Sequence, residues 1–386
     1  MTGSTMNHRE RVLAALNHEL PDRTPIDFGG GTVTTIYYTA YERLRQHLGI
    51  EAEAYQLNPK KQSRTVIPEE AVLERFDIDT RCLLLGGYEG GGREIDEDTL
   101  IDEWGTTWSK TGTHPYINTD GPFYGRDADI ADLEAHDWPD PDNHGYYAGL
   151  AERAEALRKG TDYAIILSLP TGIIHQCQFM RGWDKWLMDL QRNPEYACRM
   201  MDIITDHFFC IIKNALKVVG DNVDIVLAGD DMGTQQSTLF SPEVYRRLIK
   251  PRHKLLFDVI KTKPDLKMAL HSCGSISSLL EDLIEMGVDA INPVQINAAN
   301  MEPERLKEEF GDRLTFWGGI DTQKVLPFGS PGEVRREVRR IIDILGRNGG
   351  YVLNSVHNIQ SDVPPENVVA MFDEACSYQG AGSGTH

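Results

Sequence analysis

The sequence predicts an α/β fold and, within that class, a (β/α)8 or TIM barrel, for three reasons. Eight short apolar runs recur along the 386 residues, and amphipathic helical stretches separate most of them. Regular alternation of this kind implies parallel strands, because each crossover needs a helix to return the chain. Eight such units favour closure into a barrel. The motif G-x-G-x-x-G does not follow the first run, and this disfavours an open dinucleotide-binding sheet.

The predicted strands are the eight apolar runs themselves. In chain order they are Pro25–Phe28, Thr80–Leu85, Ala164–Leu169, Ile225–Ala228, Lys267–Leu270, Ala290–Pro293, Thr315–Gly318 and Tyr351–Asn354. A first helix is expected over residues 7–19, with Asn7 as its N-cap. Further helices are expected over Pro242–Ile260, Ile276–Glu285 and Pro331–Leu345. We therefore expect one barrel domain over residues 1–378, followed by a disordered tail at 379–386.

Residues 87–160 interrupt the alternation. This segment contains the glycine-rich GGYEGGG, the alternating REIDEDTLIDEWGTTWSKTG and the proline- and aspartate-rich WPDPDNHG. Alternating polar and apolar residues are typical of a β-ribbon. The segment is therefore predicted to be a β-ribbon and loop insertion after the second strand, lying over the barrel mouth or at a subunit contact.

The composition excludes several classes of partner. The chain has 39 basic and 59 acidic residues, a formal net charge of -20. Such a surface repels nucleic-acid phosphates and anionic lipids, so neither is expected to bind. The six cysteines include no C-x-x-C pair, which is typical of a reducing compartment. The sequence shows no signal-peptide core and no apolar stretch near the ~18 residues of a membrane span. We expect a soluble, cytoplasmic protein.

Polar residues follow the predicted strands at the end where barrels carry their function. His271 and Cys273 come directly after the fifth strand, and Gly274 then turns the chain. Imidazole and thiolate are preferred zinc ligands, and a catalytic zinc keeps three protein ligands and one open position. His357 follows the last strand and comes near this pair only if the barrel closes. In the alternative interpretation, His271 hydrogen-bonds within the barrel top and Cys273 is simply a small buried residue.

Two adjacent carboxylates, Asp230 and Asp231, follow the fourth strand. One of them could orient a ligand histidine or act as a general base, and the other would cap the following turn. The catalytic role is assigned to Asp230 and the cap to Asp231.

Further residues near strand ends are candidates for binding a small-molecule substrate. Tyr37 and Tyr38 follow a glycine-rich turn, whereas Arg81 lies at the start of its strand, a position that can face the other end of the barrel. The full set is Tyr37, Tyr38, Arg81, Gln235, Gln295, Asp321 and Gln360. Asp321 could equally cap a helix, and each glutamine could be a satisfied rim residue.

Motifs along nearly the whole chain resemble those of the uroporphyrinogen decarboxylase superfamily. They are ERVLAALNHELPDRTPIDF, DEWGTTW, SPEVYRRLIKPRHKLLFD, HSCGSI and VPPENVVAM. The resemblance implies a (β/α)8 barrel, in agreement with the alternation. True uroporphyrinogen decarboxylases need no metal and carry an arginine-rich segment soon after the first strand. Here that position reads GGGTVTTIYY, with no arginine before Arg43, so decarboxylation of a porphyrinogen is disfavoured.

A second branch of that superfamily contains zinc-dependent methyltransferases that work with a corrinoid protein. Its zinc ligands are a His-x-Cys after strand five and a cysteine ten residues before the Asn of a P-x-E-N segment. His271 and Cys273 match the first part, and counting back from Asn367 reaches His357. The resemblance therefore implies a zinc site of His271, Cys273 and His357, with histidine in place of cysteine. Two imidazoles and one thiolate leave Zn²⁺ with a net charge of about +1, a stronger Lewis acid suited to an oxygen substrate such as a methoxylated compound.

The leading hypothesis is a zinc-dependent methyltransferase or demethylase. The sequence contains no D-x-H-x-x-G corrinoid-binding motif, so cobalamin would arrive on a separate corrinoid protein. Two alternatives stay open: a decarboxylase of an acid smaller than a porphyrinogen, and a non-catalytic barrel that binds a small molecule or a partner protein. A homodimer is compatible with each of them.

Overall fold

This computed structural model describes residues 6–50, 56–57, 63–112, 115–125, 127–378 and 380. The tail predicted to be disordered, 379–386, lies outside the described residues except for Gly380. The described strands are β1 (Gln56–Leu57), β2 (Val66–Ile67), β3 (Thr80–Leu84), β4 (Arg93–Glu94), β5 (Thr99–Ile101), β6 (Thr107–Ser109), β7 (Ile117–Asp120), β8 (Ala164–Ser168), β9 (Ile225–Gly229), β10 (Lys267–His271), β11 (Ala290–Asn292), β12 (Thr315–Trp317) and β13 (Tyr351–Val352).

The described helices surround the parallel strands. They are α1 (His8–Leu16), α2 (Tyr38–Leu48), α3 (Glu70–Arg75), α4 (Ile130–Ala135), α5 (His144–Tyr147), α6 (Leu150–Gly160), α7 (Ile173–Arg181), α8 (Trp183–Arg192), α9 (Pro194–Val219), α10 (Pro242–Val244), α11 (Lys250–Ile260), α12 (Leu280–Glu285), α13 (Pro303–Phe310), α14 (Val325–Phe328), α15 (Pro331–Leu345) and α16 (Pro365–Ser377). Among the residues that the structure describes, no helix is both long and apolar enough to cross a membrane.

The main sheet is parallel and confirms the predicted α/β barrel class. Its order is β3-β8-β9-β10-β11-β12-β13, and neighbouring strands follow one another along the chain. The predicted first strand, Pro25–Phe28, is reduced to a single parallel bridge between Ile26 and Leu353. Pro25 has no N–H for a ladder, and the Ile26 N–H donates to the Asp79 carboxylate instead. The Asp79 N–H donates to the Ile26 carbonyl, so this segment closes the gap between β13 and β3.

The inside of the barrel is packed with small and apolar side chains. Because side chains alternate along a strand, Ile166, Leu227 and Ala269 face inward with Trp317, while their sequence neighbours pack under the helices. The inward cluster includes Val12, Ala15 and Leu16 of α1, which close the amino-terminal end. The carboxyl-terminal end is therefore where a site can open.

Two predicted helices differ from the expectation in instructive ways. Asn7 caps α1 as predicted, accepting the Glu10 N–H, but the helix ends at Leu16 rather than at residue 19, and His18 lies in the left-handed region. The stretch predicted over Pro242–Ile260 includes a π-helical turn, Tyr245–Ile249. Pro251 cannot donate to the carbonyl one turn earlier and would clash with it, and one wider turn relieves both problems.

The insertion forms an antiparallel sheet of order β4-β5-β6-β7, as its alternating sequence predicts. This sheet lies beside α7: the rings of Trp108 and Phe179 are 4.8 Å apart, and the Phe123 N–H donates to the Met180 carbonyl. The sequence interpretation extended the loop excursion to residue 160. Instead, α6 is a crossover helix that contacts β3 and α9.

Candidate metal centre

Three side chains that could hold a metal meet at the carboxyl-terminal mouth. His271 ends β10, Cys273 follows it, and His357 comes from the loop after β13. One potential ligand atom from each of the three lies within 4.8 Å of the other two. His271 Nε2 is 3.4 Å from Cys273 Sγ, and the two imidazole centroids are 5.1 Å apart. The structure thus brings together the three residues that the sequence singled out.

A neighbouring strand orients the His271 ring. Asn292 ends β11, and its Oδ1 lies 2.7 Å from His271 Nδ1. The Asn292 oxygen can only accept, so Nδ1 carries the ring proton and Nε2 presents its lone pair toward Cys273. This is the tautomer that a metal ligand needs.

The turn after Cys273 is built around a glycine. Gly274 has a φ of +87°, and a Cβ there would lie 2.5 Å from the carbonyl carbon of Gly233, so only glycine fits. The Gly274 N–H donates to Gln295 Oε1 at 2.7 Å. Gln295, predicted to bind substrate, therefore supports the turn that presents Cys273.

His357 has an unusual backbone conformation for a histidine. Its φ is +65°, in the left-handed region, and the Ser355 hydroxyl donates to its carbonyl at 2.7 Å. The Asn358 N–H donates to His357 Nδ1, also at 2.7 Å. Non-glycine residues held in this region cost free energy and are concentrated at functional sites.

The donor set fits a zinc ion. Burial, together with the neighbouring His271, lowers the pKa of His357 to about 4. Burial also lowers the pKa of His271, although Asp231 opposes this. Both imidazoles are therefore neutral at neutral pH, as imidazole metal ligands must be. Burial raises the pKa of the Cys273 thiol, and Asp231 raises it further, so the thiol would release its proton to a bound cation.

Asp230 lies behind the mouth rather than in it. It is fully buried, and its carboxylate accepts the Ile174 N–H at 2.8 Å at the start of α7. Burial raises its pKa, but His175 and His253 more than offset this and hold the pKa of Asp230 below its ordinary value. The catalytic role predicted for Asp230 is corrected, because the carboxylate is already surrounded by α7 and these two histidines.

Asp231 is the carboxylate that faces the mouth. Its side chain is 25% exposed, and Oδ1 accepts the Cys273 N–H at 2.7 Å and lies 3.9 Å from His271 Nε2. Burial raises its pKa, but hydrogen bonding to His175 outweighs this and holds the pKa low. Asp231, assigned to a cap from the sequence, instead holds the backbone of Cys273.

Sequence reasoning missed His175. This residue lies in the first turn of α7, with Nδ1 3.3 Å from Asp230 Oδ1 and Nε2 3.4 Å from Asp231 Oδ2. The segment after the third strand, TGIIH, was the available signal, since residues following a barrel strand face the mouth.

The remaining candidates lie in several places. Tyr37 is buried, and its N–H donates to the Ile359 carbonyl, two residues beyond His357. The Tyr38 hydroxyl accepts from Arg64 at 2.6 Å, and the Arg64 guanidinium also covers its ring. The two tyrosines stay candidates for a pocket wall.

Four further candidates make other contacts. Gln235 and Gln360 are exposed at the rim, and Gln360 Nε2 donates to a backbone carbonyl. Asp321 Oδ1 accepts the Gln323 N–H, as in a cap. The prediction that Arg81 binds substrate is corrected. Arg81 is the second residue of β3, so it lies at the amino-terminal end of the barrel, where it pairs with Glu70.

The chain is similar to known proteins along most of its length. A family model described as Uroporphyrinogen decarboxylase (URO-D) matches residues 113–378. Uroporphyrinogen decarboxylase of Paraburkholderia phytofirmans is 32% identical over 111 residues, 28% of each chain. That of Chloroherpeton thalassium is 27% identical over 195 residues, 48% of this chain and 49% of the relative. The matched regions thus span at most about half the length of these curated relatives.

A solved structure, a methyltransferase from Methanosarcina mazei, superposes with a TM-score of 0.62 at 18% identity. The superposition covers 96% of this chain and 98% of that one, which shows a shared fold over the whole length. The family model, which spans well over half of the sequence, shows that the chain belongs to the uroporphyrinogen decarboxylase family.

Proposed function

We propose that this chain is a zinc-dependent methyltransferase that takes a methyl group from a substrate oxygen and passes it to the corrinoid of a separate protein. The observation that carries the proposal is the convergence of His271, Cys273 and His357 at the barrel mouth. The similar fold of a protein described as a methyltransferase supports it.

Zinc held by His271, Cys273 and His357 would supply a Lewis acid that polarises the oxygen bearing the methyl group. The protein's own groups prepare this site. Asn292 fixes the His271 tautomer, and Asp231 holds the Cys273 backbone. Two imidazoles and one thiolate make the set more electropositive than two thiolates would, which favours an oxygen over a sulfur substrate.

The curated relatives are described as decarboxylases, so decarboxylation is a second candidate function. The loop after the first strand argues against it. Arg43, the first arginine after GGGTVTTIYY, lies on α2, and its guanidinium donates to the carbonyls of Ser361 and Val363. An arginine engaged with backbone carbonyls is poorly placed to bind a substrate carboxylate.

Methyl transfer to free cob(I)alamin tests the proposal. With a para-substituted anisole as donor, the zinc-loaded protein should produce methylcobalamin and the corresponding phenol. Removing zinc with a chelator should slow this on the order of 100-fold or more, because the leaving oxygen loses its Lewis acid. Release of CO2 from a small aromatic acid in the absence of cob(I)alamin, without methyl transfer, would favour the decarboxylase instead.

A further inference from the structure

His175 lies beside the proposed centre but is not one of its predicted ligands. Its Nε2 lies 3.4 Å from Asp231 Oδ2, and the other oxygen of Asp231 is 3.9 Å from His271 Nε2. A single carboxylate therefore separates the two rings. The His175 side chain is 28% exposed, whereas that of Asp230 behind it is 1% exposed.

Contacts on the far side hold the His175 ring in place. Phe179, one turn later on α7, stacks on it with centroids 5.6 Å apart, and Trp108 of the inserted sheet packs against Phe179. Asp230 faces Nδ1 and is itself fixed by His253 Nε2 at 3.0 Å. A ring supported in this way is pre-organised, as a group acting on substrate must be.

The surroundings of His175 favour its protonated form. Each ring nitrogen faces a carboxylate oxygen, and carboxylates only accept, so both nitrogens are best satisfied as N–H donors. Burial lowers the pKa of His175, but Asp230 and Asp231 outweigh this and raise it to about 10. His175 therefore carries a proton at neutral pH beside two anionic groups.

Neither aspartate can supply that proton. The two oxygens of Asp231 face the Cys273 N–H and His175 Nε2, so this carboxylate acts as an acceptor, and Asp230 is fully buried behind the ring. Demethylation of an ether requires a proton, because the departing oxygen keeps the electron pair of the broken bond. General acids reduce the barrier of such steps by 10²- to 10⁴-fold.

We infer that His175 is the general acid that protonates the substrate oxygen as its methyl group leaves. The inference rests on the proposed methyl transfer. The oxygen–methyl bond breaks with its electron pair on oxygen, and the reduced cobalt of the corrinoid provides both electrons of the new carbon–cobalt bond. The proton passes from His175 Nε2 to the oxygen and yields a neutral alcohol or phenol. His175 then regains a proton from solvent through its exposed edge.

The test compares His175→Gln with the wild type on a series of para-substituted anisoles, with free cob(I)alamin as acceptor. Anisoles that yield a weakly acidic phenol need the proton. The para-nitrophenolate that departs from para-nitroanisole leaves readily without it. We expect kcat to fall on the order of 100-fold for the unactivated donors and less than about 10-fold for para-nitroanisole. Zinc content should be unchanged. His144→Gln is the matched control, because His144 is an exposed histidine that also faces a carboxylate, that of Glu89.

A second variant separates acid catalysis from a structural role. Added imidazole should restore the methyl-transfer activity of the His175→Ala variant with the unactivated donors. It should have little effect on the activity with para-nitroanisole. Equal losses across the series, loss of zinc in the variants, or wild-type rates would each overturn the role of His175. If the wild type transfers methyl from none of these donors, the proposed function itself fails, and this inference with it.

Discussion

Asp224 and Asp230 stand at the two ends of the same strand, β9, and their partners differ. Asp224 precedes the strand, accepts the Ile165 N–H at 2.9 Å, and pairs with Arg9 and Arg158, each at 2.7 Å. Arginine stays charged at every pH that a protein meets. This end of the strand therefore carries a permanent ion pair.

Asp230 also accepts a backbone N–H, that of Ile174, but its side-chain partners are the histidines His175 and His253. Histidine gains and loses a proton near neutral pH and binds metals. The comparison teaches that a buried carboxylate braces each end of β9, and that the carboxylate at the carboxyl-terminal end is combined with groups that can move protons.

The amino-terminal pattern recurs around the barrel. Asp79, just before β3, accepts the Ile26 N–H and pairs with Arg11. Asp289, just before β11, accepts the Met268 N–H and pairs with a lysine. Repetition on three strands is typical of a device for stability, in keeping with the roles of the two faces of such barrels.

The largest effect on stability is expected from Asp224→Asn. Its carboxylate is 2% exposed, and breaking a buried pair should lower the free energy of unfolding by about 3 kcal/mol. Urea unfolding measures this loss, and zinc uptake should be unchanged. Asp221→Asn is the matched control, because that carboxylate is fully exposed beside Lys263 and should leave the free energy of unfolding almost unchanged. Loss of zinc in Asp224→Asn would break the division between the two ends.

Asp231→Asn is expected to have a smaller effect, and to change zinc binding rather than stability. The amide can still accept the Cys273 N–H but has lost its charge, so zinc affinity should fall about 10-fold. The free energy of unfolding should change by less than about 1 kcal/mol, because the side chain is partly exposed. A competition titration with a zinc chelator measures the affinity. Unchanged affinity together with a large loss of stability would place Asp231 with the bracing carboxylates.

The fold class and the convergence of His271, Cys273 and His357 were predictable from the sequence for physical reasons. Alternation of strands and helices implies a parallel barrel, and a barrel brings the ends of β10 and β13 to one mouth. The sequence did not predict that the first strand is reduced to one bridge. The reduction arises because Pro25 has no N–H and the Ile26 N–H donates to the Asp79 carboxylate. This hydrogen bond joins residues that are distant in sequence.

The sequence could have predicted that Asp231, and not Asp230, faces the mouth. Leu227 faces inward and side chains alternate along a strand, so residue 231 shares the inward side and residue 230 the outward one. The same parity places His271 and Cys273 together with Ala269. His175 could not be found in this way, because its position depends on how α7 leaves β8 and on the inserted sheet that packs against Phe179.

The most direct test of the account is the metal content of the protein purified without chelator. We expect about one zinc per chain in the wild type and the loss of most of it in a His271→Ala, Cys273→Ala double variant. A His144→Ala, Cys210→Ala double variant, which removes the same residue types elsewhere, should keep its zinc. If the His271, Cys273 variant retains more than half of the metal with its fold intact, the mouth of this barrel is not the zinc site.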